Sequence, residues 1–265
     1  PYYKWDGSAY QGPYGSTANF VTSGDNPGGF AEIGGSLYAM VPDGIIQFHG
    51  STFSVAVATT DAGFTATGWS DERGPIAAIG TEVYFVAYDT AEGIWSWDTA
   101  GSANPAKLSF TGLNFIRDLV AVGDKLYFAA DSDSNGQREL YEWDPGTTSE
   151  SQVSSSVVQE LTEMDGDLYF ATKVAGDNFI AKYDLSSSTE TTSAIASTPW
   201  DLEGHNGKLY YASDSVIDPA NYAAWQYDPI SDTHTEIPGT VAPEVDSFTS
   251  LGSDLYYMTS TDGTI

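Results

Sequence analysis

One motif returns six times along this chain, an apolar residue followed by tyrosine and then another small or aromatic residue: SLYAMV, EVYFVA, KLYFAA, DLYFAT, KLYYAS and DLYYMT. Its anchors, Leu37, Val83, Leu126, Leu168, Leu209 and Leu255, stand 46, 43, 42, 41 and 46 residues apart. Seven residues before each anchor lies Phe30, Ile76, Leu119, Leu161, Leu202 or Phe248, and a glycine sits two or three residues before every one. A later strand follows in several copies, as GIWSWDTAG, ELYEWDPGT, AAWQYDPIS and FIAKYDLSS. Short β-runs separated by Gly, Asp, Ser and Pro turns, with no helical period, give about four strands per unit. A repeat of this length built from four strands is the pattern of a β-propeller blade.

The ends constrain the arrangement further. Ten residues follow Leu255 and 37 residues run up to and include Leu37, so the two ends together span 47 residues, one period. The opening PYYKWDG reads as a third strand without inner strands before it, and the closing DLYYMTSTDGTI as inner strands without outer ones. The expectation is an all-β, six-bladed β-propeller over residues 1–265, a single domain closed by one blade shared between the N- and C-termini, which leaves no free sheet edge. A chain that starts at Pro1 without methionine is also expected to be a processed or excised piece.

Composition removes several functions. With no cysteine there is no disulfide, zinc-thiolate site or cysteine nucleophile. Against 37 acids stand 9 Lys and Arg, a formal charge of -28. Scattered cations of that number cannot displace counterions from nucleic acid or hold an anionic membrane. No apolar run is long enough for membrane insertion. The acidic excess suits a protein kept hydrated in salt. GGFAEIGG near residue 28 precedes a strand with no following helix, which argues against a dinucleotide loop.

The unit KLYFAADSDSNGQRELYEWDPGT resembles a repeat of bacterial and archaeal surface proteins, in which a strand ending in Ala-Ala-Asp turns through Gly into Glu-Leu-Trp and then Asp-Gly-Thr. The match is close over residues 125–147, with Tyr141 in place of Trp and Pro145 interrupting Asp-Gly. The resemblance implies a propeller in a large secreted or cell-surface protein and no catalytic residues.

Two candidate sites follow. Asp131, Asp133, Asn135, Gln137 and Glu139 stand at alternate positions around Gly136, as D-x-D-x-N-G-x-x-E. Alternating oxygens, a carbonyl near Gln137 and a closing Glu139 suit a structural Ca2+. The loop locally resembles the calcium hairpins of the integrin headpiece. A polar turn shaped by Asp, Asn and Gly is the other reading. The second candidate comes from aligning the residues eight to ten before each anchor, where Arg73, Arg117, Asp118, Glu160, Asp201 and Asp246 fall, with Trp69 and Trp200 nearby. Turns leading into inner strands would surround one mouth of the ring. There an arginine fork can grip a carboxylate or sulfate and tryptophan can stack on a sugar. An interblade salt-bridge ring is the alternative.

Three separated histidines make no metal motif. His205 fills a slot that is Ile, Val, Met or Leu elsewhere, and Trp5, Trp97, Trp143 and Trp225 recur in third strands, where they are expected to pack between blades rather than form a sugar platform. The functional expectation is a non-catalytic extracellular interaction or structural module of a larger assembly, with other protein subunits or surface polysaccharide as partners. A carbohydrate-binding propeller and a polysaccharide hydrolase or lyase are the alternatives. Among so many acids close pairs are certain, and no spacing selects one.

Overall fold

In a computed structural model, the described residues are 2–5, 10–14, 30–41, 44–49, 52–58, 76–88, 92–101, 104–110, 112–251 and 254–260. Among them the regular structure is entirely β. β1 (Tyr2–Trp5) and β2 (Tyr10–Tyr14) form a two-stranded antiparallel sheet. Five four-stranded sheets follow, each in simple chain order. They are β3 (Phe30–Ile33) to β4 (Ser36–Val41), β5 (Gly44–His49) and β6 (Thr52–Ala58); then β7 (Ile76–Ile79), β8 (Glu82–Tyr88), β9 (Glu92–Asp98) and β10 (Ala106–Lys107). Next come β11 (Asn114–Val122), β12 (Lys125–Asp131), β13 (Glu139–Asp144) and β14 (Ser149–Ser154). β15 (Gln159–Met164), β16 (Asp167–Val174), β17 (Asp177–Asp184) and β18 (Thr189–Ile195) make the fourth such sheet. The fifth is β19 (Trp200–His205), β20 (Lys208–Asp214), β21 (Tyr222–Asp228) and β22 (Thr233–Glu236). β23 (Glu244–Leu251) and β24 (Asp254–Ser260) close the list as a two-stranded pair. The chain divides into two compact units, Pro1–Leu126 and Tyr127–Ile265.

The recurring motif is the second strand of each sheet. Its residues are buried in continuous runs, Val83–Ala87, Leu126–Asp131 and Leu168–Thr172, because both faces of the strand are covered. Among the described residues, the glycines before the anchors make the first hairpin turns. Asp165–Gly166 and Asn206–Gly207 have positive φ at both positions, the two-residue turn whose twist matches the flanking strands.

The aspartate that ends β13, β17 or β21 works as a turn organiser. The Asp144 carboxylate accepts from the Gly146 and Thr147 amides at 2.7 and 3.3 Å. Asp184 accepts from Ser186 and Ser187, and Asp228 from Ile230 and Ser231. Hydroxyl pairs Thr147–Ser149, Ser187–Thr189 and Ser231–Thr233, 2.7, 2.7 and 2.8 Å apart, brace the same turns. The Trp/Tyr-Asp-x-x-Ser/Thr signature is therefore backbone chemistry rather than catalysis.

Neighbouring sheets share cores within each unit. In the first, Met40, Ile45, Ile76, Phe85 and Trp95 cluster between the sheets of β3–β6 and β7–β10, and Trp97 meets Tyr38 edge-to-face at 5.9 Å. In the second, Met164, Tyr169, Ile180, Leu202, Leu209 and Tyr211 join the sheets of β15–β18 and β19–β22. Ala212, Ala224, Val245 and Phe248 carry the packing on to β23–β24. The inner strands approach closely, since a Cβ on Gly204 of β19 would lie 2.5 Å from the Glu163 carbonyl oxygen of β15.

Candidate functional site

The 131–139 loop is built around one buried carboxylate. Asp131 is fully buried at the end of β12. Its Oδ1 accepts from the Asp133 and Ser134 amides at 3.1 and 2.7 Å, and its Oδ2 from the Gly136 amide at 2.7 Å. Desolvation works to raise its pKa, but the amides of Gly136, Ser134, Asp133 and Asn135 outweigh it and hold the carboxyl below the ordinary value. Exposed Asp133 turns both oxygens toward Asn135, accepting from its amide at 3.2 Å and its Nδ2 at 3.0 Å. Asn135 Oδ1 accepts from the Gln137 amide at 2.6 Å. Ser134 and Gly136 carry the positive φ of the bend, 61° and 82°.

Glu139 is the exception. Its Oε2 is buried without a hydrogen-bond partner, and desolvation, then the charges of Asp133 and Asp131, push its pKa up. Among the described residues no group of three or more His, Asp or Glu side chains is arranged to hold a metal ion. Replacing Asp131 by alanine strands three backbone amides. The variant is expected to melt well below the parent chain in excess EDTA as well as in calcium, as thermal unfolding by circular dichroism would show. Because the Asp131 pKa is depressed in the fold, its stabilisation is present above the ordinary aspartate value and is lost as pH falls through the folded value.

The residues expected in turns lie inside the inner strands. Arg117 and Asp118 belong to β11, Glu160 to β15, and Trp200 and Asp201 to β19. The reason is local backbone geometry. Asp118, Glu160 and Asp201, each eight residues before its anchor, have φ of 53°, 54° and 55°, and at Glu160 and Asp201 the ladder to the second strand shifts register. The bulge redirects the acid toward the neighbouring sheet without ending the strand.

Their polar groups are used within the fold. The Arg117 guanidinium, 21% exposed, meets Glu92 Oε1 of β9 at 2.7 Å, and the Ile116 amide donates to the other oxygen at 3.0 Å. Glu160 Oε2 of β15 accepts from the Asp201 amide of β19 at 3.1 Å, and Asp201 itself is buried. The Trp200 indole N–H donates to the Val245 carbonyl at 3.2 Å, while its ring stands edge-on to Tyr222 at 4.9 Å. These are ties between adjacent sheets within each unit. Arg73 and Trp69 lie outside the described residues, as does the side chain of Asp246.

Further sheet-to-sheet ties escaped the sequence. Glu190 of β18 accepts from Ser154 and Ser156, both at 2.6 Å, and Glu92 gives no signal in its hairpin beyond being an acid among many. His205 is buried, with Nε2 2.8 Å from Asn206 Nδ2, as its apolar slot predicts.

No protein-family model matches the sequence, and no curated protein matches it. Solved β-propeller structures do match the fold. TolB from Acinetobacter baumannii superposes with a TM-score of 0.53 at 16% identity, over 86% of this chain and 57% of TolB. Oligogalacturonate lyase from Vibrio parahaemolyticus gives 0.59 at 7% identity, over 76% of this chain and 61% of the lyase. The extracellular domain of a B. thetaiotaomicron protein gives 0.63 at 14% identity, over 97% of this chain and 34% of that one. The chain thus spans about three fifths of TolB and the lyase. At these identities the likeness is one of fold.

Proposed function

We propose that this chain is a non-catalytic interaction and structural module of a larger secreted or cell-surface assembly. Other protein subunits or surface polysaccharide are its partners. The observation that carries this reading is the fate of the candidate mouth residues. Arg117, the Trp200 indole and the Asp201 amide are each engaged by an adjacent strand of the same unit, as packing and stitching residues are. In this reading the whole chain is one six-bladed ring, with β23–β24 as the inner and β1–β2 as the outer half of a shared blade. Two two-stranded sheets at the ends, among five of four strands, support it. Calcium belongs to the same proposal as a local staple in the 131–139 loop, and the buried, unpartnered Glu139 Oε2 is the observation in its favour.

Arg117→Ala separates this reading from a ligand-gripping one. Removing a charged partner from the half-buried Glu92 pair should cost about 2 kcal/mol of stability in chemical denaturation. Any capture of acidic polysaccharides should be the same before and after the change, because Arg117 is tied to Glu92. A variant as stable as the parent that loses measurable binding to polygalacturonate or a sulfated glycan would overturn the structural reading. So would turnover of polygalacturonate by the unmodified chain, followed through the ultraviolet absorbance of unsaturated uronate.

A further inference from the structure

Where the sheet of β15–β18 meets the sheet of β19–β22, a histidine sits in a chain of polar groups that the reading above does not use. His234, on the outermost strand β22, has Nδ1 2.9 Å from the Tyr211 hydroxyl of β20 and Nε2 2.9 Å from the Ser193 hydroxyl of β18. The Tyr227 ring of β21 stacks on the imidazole with centroids 4.4 Å apart at 15°, and Tyr211 meets it edge-on at 6.0 Å. Tyr211 is 2% exposed and Ser193 7%. The Tyr227 hydroxyl donates to Asp232 Oδ1 at 3.2 Å and accepts from Ser193.

Those links leave one consistent direction for the protons. Asp232, as a carboxylate, only accepts, so Tyr227 donates to it and Ser193 donates to Tyr227. The Ser193 oxygen is then the acceptor for an Nε2–H of His234. A neutral imidazole protonated at Nε2 carries a bare Nδ1, which takes the Tyr211 hydroxyl proton. Every member of the chain is satisfied only while His234 is neutral. This tautomer is also the wrong one for His234 to act as a base toward Ser193, since the nitrogen facing the hydroxyl already bears a proton.

We propose that His234 is a pH-sensitive latch across this seam, holding β18 to β22 when neutral and releasing them when protonated. With a second proton on Nδ1 the Tyr211 oxygen can only accept from the ring, so the deeply buried Tyr211 hydroxyl proton must turn away from the nitrogen that took it. The new cation would be half-buried, with the Tyr227 ring on its face and the Tyr211 ring at its edge. The ionisable groups facing it are Tyr211 from β20, Tyr227 from β21 and Asp232 from the β21–β22 turn. On the far sheet Tyr169 of β16 adjoins Tyr227, with Lys182 of β17 held 5.8 Å over its ring and 2.7 Å from Asp167. β18 contributes no charge beside Ser193. One carboxylate, already accepting from Tyr227, is too little to hold the imidazolium. Burial accordingly keeps the ring below the ordinary histidine value, against the pull of Asp232.

The sign of the pH effect follows. The unfolded chain takes the proton first as pH falls below about 6.5, so the folding equilibrium weakens by up to tenfold per pH unit until the folded ring titrates. That window lies above the range of ordinary carboxylates, which keeps the effect separate from discharge of the acidic surface.

The test uses the intact chain. Its three histidine rings are followed by NMR between about pH 8 and 5, and the denaturation midpoint is measured over the same range for wild type and His234→Gln. Glutamine offers an oxygen to Tyr211 and an N–H to Ser193 but takes up no proton. The expected result is a His234 ring titrating below the ordinary value, faster hydrogen exchange in β18 and β22 at the acid end, and loss of the wild-type pH slope in the variant. A His234 ring titrating at or above the ordinary value overturns the latch, and so does a variant that keeps the full slope. Should His234→Gln fail to fold, the wild-type ring titration alone decides.

Discussion

Gly204→Val leaves little or no folded protein, and Gly204→Ala lowers stability by about 1–3 kcal/mol, read as a fall in denaturation midpoint at unchanged slope. The reason is a contact between inner strands. The added Cβ would stand 2.5 Å from the Glu163 carbonyl oxygen and 2.7 Å from Met164 Cβ, both in β15. Backbone on one side and the root of a buried side chain on the other give it nowhere to go. The alternative to a clash is withdrawal of β19 from β15, which would also pull apart the cluster of Met164, Leu202 and Leu209. Valine adds two methyl groups to the same crowded spot, and an inner strand has neighbours on both faces. A Gly204→Val variant with the parent's midpoint would mean that β19 and β15 do not approach this closely.

Gly204 also marks where sequence reading stops. The corresponding slot in the preceding unit is Glu163, and in the others Glu32, Ala78, Ala121 and Ser250, so the glycine is no part of the repeat and carries no periodic signal. What repeats is what each unit needs for itself: a buried second strand, a glycine before its anchor and, at the ends of β9, β13, β17 and β21, an aspartate that folds the last turn. Those features gave the strand order of five sheets. What differs between units is how one sheet meets the next, and such partners lie dozens of residues apart with no fixed spacing. Glu92 with Arg117, Glu160 with the Asp201 amide, and Ser193 with His234 are all of this kind.

The candidate mouth shows the same limit from the other side. Alignment to the anchors correctly found that Asp118, Glu160 and Asp201 occupy equivalent positions. It placed them in turns because Asp and Glu are poor strand residues and no rule of alternation signals a bulge. Their left-handed backbone let them stay in the strand. In the 131–139 loop the spacing of oxygens was legible, but a cation and a row of backbone amides select the same residue types. Only the distances reveal that Asp131 has spent both oxygens on amides.

Deleting residues 1–14 is the second change with a large expected effect, and it tests the proposed closure. That deletion removes β1 and β2 and touches no residue of the five four-stranded sheets. If the ends were independent, the loss of a two-stranded sheet would leave the melting temperature of the remainder close to the parent's, because an isolated pair of strands adds little stability. In a ring with a shared blade the deletion strips the outer half from β23–β24 and bares the edge of β24. An unpaired edge is a template for pairing with another copy. The truncated chain is then expected to melt at a much lower temperature and to associate as its concentration rises, by light scattering and sedimentation. A circular permutant supplies the converse. If the blade is shared, joining Ile265 to Pro1 through a short Gly-Ser linker and opening the chain between β6 and β7 should preserve the parent's melting temperature and mass, since the linker would make covalent what a shared blade would hold together. A truncated chain that keeps both properties, or a permutant that cannot fold while the truncated chain can, would rule out the shared blade.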